Sequence, residues 1–250
     1  MLGSYYQCSD YIAQVRQLIH DLSASDYTDA QLTVFINNAR LRTQQDLRVC
    51  RQFIQGLNTI TQQETYPLNG WVGGVIVTAP GANYATTTTA SFTGGGGAGA
   101  AAQVIVSNGQ IAGINMTSWG GGYTSTPTLT LANTGGGTGA AFNVVAGLMI
   151  NDILTMTVLW NGAPAPQSSL AVTFDWLPFG VFQAFCRAYR GTFSNPGAYT
   201  VHYGTTSPTM QQADARAFYL YPIPNQAYTM ELDVSVLPNP LVGTTDVDYQ

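Results

Sequence analysis

The stretch from Gly73 to Val145 contains a near-copy of itself, and this internal repeat narrows the possible folds more than any other feature of the chain. Val75-Ile-Val-Thr-Ala-Pro-Gly81-Ala-Asn-Tyr84 is answered by Ile114-Asn-Met-Thr-Ser-Trp-Gly120-Gly-Gly-Tyr123, and Ala90-Ser-Phe92 by Leu129-Thr-Leu131. Gly99-Ala-Ala and Gly139-Ala-Ala close the two halves. The offset is 39 residues at Val75/Ile114 and 40 at Gly99/Gly139. Two copies are too few for a solenoid, whose repeats need several neighbours to bury a continuous core. The repeat therefore predicts one small β domain with internal pseudo-symmetry. Between Glu64 and Asp152 the chain carries no Asp, Glu, Lys or Arg.

The flanks read differently. Residues 9–22 place Ile12, Val15, Leu18, Ile19 and Leu22 at helical spacing behind Ser9 or Asp10 as cap. Thr28-Asp-Ala-Gln31 is a capping box with Tyr27 and Leu32 at the staple positions. From there Leu32, Phe35, Ile36, Ala39, Thr43, Leu47, Cys50 and Ile54 hold one stripe until Gly56, which predicts a long second helix and a helical hairpin over 9–55. Its polar face carries Arg40, Arg42, Arg48 and Arg51, half of the arginines in the protein. Strands are expected at 59–61, 64–68, 153–160, 170–176, 198–203, 217–221 and 228–236, with a hairpin turn at Asn161-Gly162. Phe182, Phe185, Cys186 and Tyr189 predict a short helix ending at Gly191.

The expected fold class is thus α+β: an N-terminal helical hairpin plus an antiparallel β domain, interrupted by a small all-β inserted domain. The domain reading is 1–70 with 148–250 (β part 59–70 and 148–250), and 71–147 as the insert. Without the insert, Tyr66-Pro-Leu-Asn69 would face Leu148-Met-Ile-Asn-Asp-Ile-Leu154 as a continuous β edge.

Charged residues make up only 8% of the chain, all eight basic ones are arginine, and the net charge is −5. A surface so poor in charge suits a subunit of a large assembly better than a freely diffusing monomer. The acidic balance argues against non-specific nucleic-acid binding, which needs clustered cations. Cys8, Cys50 and Cys186 are odd in number, far apart and without metal-ligand spacing, so reduced thiols are expected. No basic, apolar leader opens the sequence, and no run of 18 apolar residues suggests a membrane span.

Gly94-Gly-Gly-Gly-Ala-Gly99 formally satisfies G-x-G-x-x-G, but no helix pattern follows it and no acid lies nearby to hold a ribose. A phosphate loop needs a lysine, and the chain has none. His20 and His202 have no serine or cysteine elbow to pair with, and the carboxylates are scattered. No enzyme, cofactor or metal centre is predicted. Trp71, Tyr84, Trp119 and Tyr123 lie in or beside the repeat. On a charge-free β surface such aromatics can stack sugar rings; the blander reading is that they fill the small core and subunit contacts.

Three flanking segments carry a resemblance. Val15-Arg-Gln-Leu-Ile-His-Asp21, Tyr27-Thr-Asp-Ala-Gln-Leu-Thr-Val-Phe-Ile-Asn37-Asn-Ala-Arg40 and Glu64-Thr-Tyr66-Pro-Leu68 resemble the head-to-tail adaptor proteins of tailed bacteriophages, the tail tubular protein A-like adaptors of short-tailed phages above all. Phe218-Tyr-Leu-Tyr-Pro222 and Leu237-Pro-Asn-Pro-Leu241 are similar to that family's last strands. The resemblance covers about residues 9–68 and 148–248, and the Gly-rich repeat separately resembles modules inserted in phage structural proteins. It implies a non-enzymatic virion protein of the neck or tail, assembled in the host cytoplasm. Copies would form a ring, typically dodecameric, between the portal protein and the tail nozzle or tail tube protein, with genomic DNA passing through unbound. Family members usually continue into further helices, whereas this chain stops at Gln250. Interface residues expected on this reading are Arg40, Arg42, Arg48, Arg51, Trp71, Trp119 and Tyr123. The alternative is a minor tail or receptor-binding protein whose β insert contacts host glycan.

Overall fold

The computed structural model describes residues 6–133, 135–160, 170–186, 192–203 and 216–248. The chain opens with β1 (Tyr6–Gln7), α1 (Cys8–Ile19), α2 (Asp29–Leu47), β2 (Arg51–Asn58) and β3 (Thr65–Pro67). The Gly-rich stretch forms β4 (Trp71–Ala82), β5 (Thr89–Thr93), β6 (Ala98–Ser107), β7 (Gln110–Gly121), β8 (Thr128–Ala132) and β9 (Thr138–Gly147). Then come β10 (Ile150–Trp160), β11 (Leu170–Thr173), β12 (Asp175–Trp176), α3 (Phe179–Phe185), β13 (Phe193–Ser194) and β14 (Ala198–Tyr203). The last elements are β15 (Arg216–Tyr221), β16 (Ile223–Pro224), β17 (Thr229–Val236) and β18 (Val247–Asp248).

Strand makes up 49% and helix 18%, in several small sheets, so the fold is mostly β and not the α+β class expected from the helical patterning. One departure lies at the end of α2. The apolar stripe extends to Ile54, but the helix stops at Leu47, with Arg48 in the left-handed conformation at φ 51°. The Gln44 side chain then takes both backbone groups of Cys50, donating to its carbonyl at 2.9 Å and accepting from its N–H at 2.8 Å. This turns the chain back, and residues 51–58 run as a strand beside β17. In β2 only Ile54 and Leu57 are buried, a pattern whose spacing of three mimics a helix.

The chain divides into two compact units, Met1–Arg51 with Ser235–Gln250, and Gln52–Val234. In the first, Cys8 and Ile12 of α1, Leu32 and Ile36 of α2 and Leu241 form a small core. The capping box holds: the Thr28 hydroxyl accepts from Gln31 N–H at 3.3 Å, and Gln31 Oε1 accepts from Thr28 N–H at 2.9 Å. Asn37 clamps the distant tail, donating to Leu241 O at 2.8 Å and accepting from Leu241 N–H at 3.0 Å.

The second unit holds two four-stranded sheets, ordered β11-β10-β17-β2 and β12-β14-β15-β3. β10 and β11 pair antiparallel, as the pattern suggested; the Asn161-Gly162 turn between them lies outside the described residues. β3 pairs with β15 and lies in a different sheet from β10, so residues 66–69 and 148–154 do not form one β edge. The short helix is Phe179–Phe185 with Cys186 as its C-cap, while Tyr189 and Gly191 lie outside the described residues.

The repeat is legible in the register itself. The first strand of each half pairs with the last strand of the other, β4 with β9 and β7 with β6. Pro80 faces Ala140 as Trp119 faces Ala100, and Ala82 faces Thr138 as Gly121 faces Ala98. Both register shifts of one pair, between Val72 and Gly74 and between Val77 and Ala79, recur in the other, between Ile105 and Val106 and between Ala101 and Ala102. The middle strands β5 and β8 pair with each other, and there Ser91 sits opposite Thr130, its own equivalent. The pseudo-two-fold axis passes through that pair. Equivalent hydroxyls do equivalent work: Tyr84 OH accepts from Ala140 N–H at 3.3 Å, and Tyr123 OH from Ala100 N–H at 3.4 Å. Asn108 and Gly109, both at positive φ, close the β6–β7 hairpin. At the equivalent place in the other pair, Trp71 opposite Gly147, the chain enters and leaves.

Gly74 is where β4 crosses β2, and a Cβ built there would lie 1.9 Å from the Gly56 carbonyl oxygen. Backbone cannot swing away as a side chain does. Gly74→Ala is expected to destabilise at or above the upper end of the about 1–3 kcal/mol usual for overpacking. Gly121→Ala, whose Cβ meets nothing within 4 Å, is expected to leave the thermal midpoint unchanged, and differential scanning calorimetry of the pair checks this.

Candidate assembly interface

The connection between α1 and α2 is held by a charge network that the sequence pattern did not announce. Arg16, almost buried, donates from Nη1 to Asp21 Oδ2 at 2.9 Å and from Nη2 to Tyr27 O at 2.9 Å and Asp29 Oδ1 at 2.6 Å. Asp21 in turn accepts from the N–H groups of Ser25 at 2.8 Å and Tyr27 at 3.1 Å. Burial raises the Asp21 pKa, but hydrogen bonds from Tyr27, Asp26 and Ser25 outweigh it and hold the carboxyl below its ordinary value. The Asp29 end is more than half exposed, so the Arg16–Asp21 pair is the one shielded from water.

This fixed connection presents apolar side chains to solvent. Leu18 and Ile19 end α1, Leu22 lies in the connection, Tyr27 precedes α2, and Val34 and Phe35 occupy its second turn. Leu18 is 79% exposed, Leu22 78% and Phe35 56%. The ring of Phe35 meets that of Tyr27 edge-on at 6.3 Å. An apolar group clustered within two turns of one helix connection is the sort of surface that proteins cover with a partner. The helical pattern placed Leu18, Leu22 and Phe35 in the core. They stand outside it because α1 ends at Ile19, with His20 left-handed at φ 60°, and because the core between the helices is only a few residues wide.

The expected interface residues divide. Arg40 is half-buried and donates to Asn37 Oδ1 at 3.2 Å and Asn239 O at 3.0 Å, tying α2 to the C-terminal tail. Arg42 is exposed on α2, Arg48 caps that helix, and Arg51 begins β2. The four therefore do not form one helix face. Trp71, Trp119 and Tyr123 are buried at 0%, 2% and 5% exposure and are core, not interface. Trp119 lies 4.7 Å from Trp71 and 4.7 Å from Tyr66 by ring centroids, and Tyr66 stacks on Phe218 at 5.2 Å. Both indoles are satisfied, Trp71 Nε1–H by Leu68 O at 3.0 Å and Trp119 Nε1–H by Asn58 O at 2.9 Å. Only Tyr84 and Tyr123 are equivalent under the repeat. Trp71 corresponds to Gln110 and Trp119 to Pro80, so the tryptophans break the symmetry where the repeat joins the flanking strands.

The remaining sequence candidates fall in structural places. His20 caps α1, and His202 in β14 lies 3.9 Å from the Phe179 ring. Gly94 to Gly97 turn the chain from β5 into β6, a strand and not the helix that a dinucleotide loop requires. Cys8 and Cys186 are buried and Cys50 is half-buried, all as free thiols. No protein-family model matches the chain, nor does any curated protein or any solved structure.

Trp119→Ala is expected to lower stability by about 3–5 kcal/mol, as for other large aromatic core truncations, measured by denaturant unfolding. A sugar-stacking tryptophan would instead leave stability untouched. Because its carboxyl is held below the ordinary value, Asp21 stabilises the folded state above about pH 4 and loses that contribution as pH falls through the lowered folded value. Asp21→Asn should lower the thermal midpoint at neutral pH and remove part of the wild-type acid dependence, followed by circular dichroism between pH 2 and pH 7.

Proposed function

We propose that this protein is a structural component of a phage neck, a homo-oligomeric head-to-tail adaptor ring between portal protein and tail nozzle or tube. The observation that carries the reading is the apolar connection between α1 and α2, rigidly held yet open to solvent on a chain with few charges to keep copies apart. The resemblance of residues 15–40 and 237–241 to phage adaptors supports it. Those two segments, distant in sequence, meet through Asn37 with Leu241 and Arg40 with Asn239. DNA would pass the ring without being gripped, since binding phosphate needs clustered cations and the chain has no lysine, eight arginines and a net charge of −5. The glycan-binding alternative loses three of its four aromatics, because Trp71, Trp119 and Tyr123 are buried, while Tyr84 is half-buried.

Native mass spectrometry of the purified protein should find a closed multiple of the 26.6 kDa chain, and virion mass analysis should find it in the particle at that stoichiometry. Leu18→Glu with Phe35→Glu should return the protein to monomers with an unchanged thermal midpoint. A wild-type monomer that is also absent from virions would overturn the reading.

A further inference from the structure

A cleft of about 290 Å³ opens on the unit of Met1–Arg51 and Ser235–Gln250, between its two helices and the C-terminal tail. Tyr11 and Val15 of α1, Ile36 and Ala39 of α2, Val49 and Pro238 give it an apolar lining. Gln44 lines it too, but its amide is engaged with both backbone groups of Cys50. The same small unit thus carries an apolar concavity and, at the α1–α2 connection, an exposed apolar tip. Each is a surface of the kind that proteins cover with a partner.

Size and charge match the one to the other. A cavity of about 150 Å³ takes one benzene ring, so about 290 Å³ takes about two such groups, as the Phe35 ring and the Leu22 side chain would be. Residues 16–29, which hold most of the tip, carry Asp21, Asp26 and Asp29 against Arg16. Residues 40–51, at the cleft end of α2, carry Arg40, Arg42, Arg48 and Arg51 against Asp46, and Arg40 lines the cleft itself. The tip is therefore net negative and the cleft end net positive. Two tips brought together would oppose like charges, whereas a tip brought to a cleft meets opposite ones. Tip and cleft lie on the same two helices, so a tip cannot fold back into the cleft of its own chain.

We propose that the cleft receives the α1–α2 tip of a second copy of this chain, so that copies join head to tail. This pairing rests on the adaptor reading for self-association and adds to it the direction in which copies are joined. Tip and cleft are different surfaces, and a contact between different surfaces is heterologous. It leaves a free tip on one copy and a free cleft on the other, and it continues until the rotation closes a ring. The apolar groups hold the pair together. The sorted charges select tip-to-cleft over tip-to-tip.

Two full-length variants test this by native mass spectrometry, each alone and the two mixed in equal amounts. The tip variant is Leu18→Glu with Phe35→Glu, and the cleft variant is Ala39→Glu with Thr43→Glu, all four at exposed helix positions. Each alone should be monomeric with the far-UV circular dichroism of the wild type. The mixture should give a dimer of one copy of each and nothing larger, because such a pair uses up its one intact tip and its one intact cleft. If the tip variant misfolds, Leu22→Glu takes its place, and if the cleft variant misfolds, Val49→Glu does, both at exposed positions outside the helices. A cleft variant that assembles like the wild type overturns the proposal and leaves the adaptor reading standing, since the copies then meet elsewhere. A mixture that stays monomeric overturns it in the same way. A monomeric wild type overturns it too, and the presence of the protein in virions then decides the adaptor reading separately.

Discussion

Four aromatic rings from four strands meet where the repeat joins the rest of its unit: Tyr66 of β3, Trp71 of β4, Trp119 of β7 and Phe218 of β15. Much of the surrounding chain is shaped by making room for them. A Cβ on Gly147 would lie 2.2 Å from the Trp71 ring, and one on Gly73 would lie 2.7 Å from it. Glycine at those places is therefore a packing requirement of the tryptophan. The polar atoms brought in with the rings all find backbone partners, which keeps the burial from carrying the cost of an unmade hydrogen bond. Ile60 N–H bonds to the Tyr66 hydroxyl at 2.9 Å, and burial raises the pKa of that phenol.

Because the charge-free stretch has no ion pairs to draw on, its cohesion comes from this aromatic burial and from backbone pairing. The Met1–Arg51 and Ser235–Gln250 unit is built on the opposite plan. Its core is small, and polar anchors give it definition: Arg16 with Asp21, Asn37 with Leu241, Gln44 with Cys50. Asp246 adds another, accepting from Val242 N–H at 2.6 Å and Gly243 N–H at 2.8 Å, bonds that hold its carboxyl below the ordinary value. The charge-free stretch thus has no side-chain carboxylate through which to answer to acid, whereas the unit of Met1–Arg51 and Ser235–Gln250 answers through hydrogen-bonded ones.

What was legible in the sequence follows the range of the interactions. The Thr28–Gln31 capping box acts over three residues and reads directly. The repeat also read correctly, because matching spacing of glycines and tyrosines imposes matching register. The end of α2 did not, since a stripe spaced like a helix continues past it and the deciding event is one glutamine side chain seizing Cys50. Nor did the tryptophans: their place in the core depends on Tyr66 and Phe218, which are separated by 152 positions in the chain (218 against 66). The exposed apolar tip was hidden for the same reason, because a helical stripe tells which side chains share a face and not how wide a partner lies against it.

The repeat unit and the α1–α2 connection differ in how far they satisfy themselves. In the repeat unit the first strand of each half bonds to the last strand of the other and the middle strands bond to each other, so the pairs β4–β9, β6–β7 and β5–β8 come from one duplicated scheme. At the α1–α2 connection the polar groups are satisfied while Leu18, Leu22 and Phe35 stay exposed. The contact groups there are side chains, so recognition depends on shape, and a single charge introduced among them suffices to break it. A surface of that kind suits copies that must meet in one geometry.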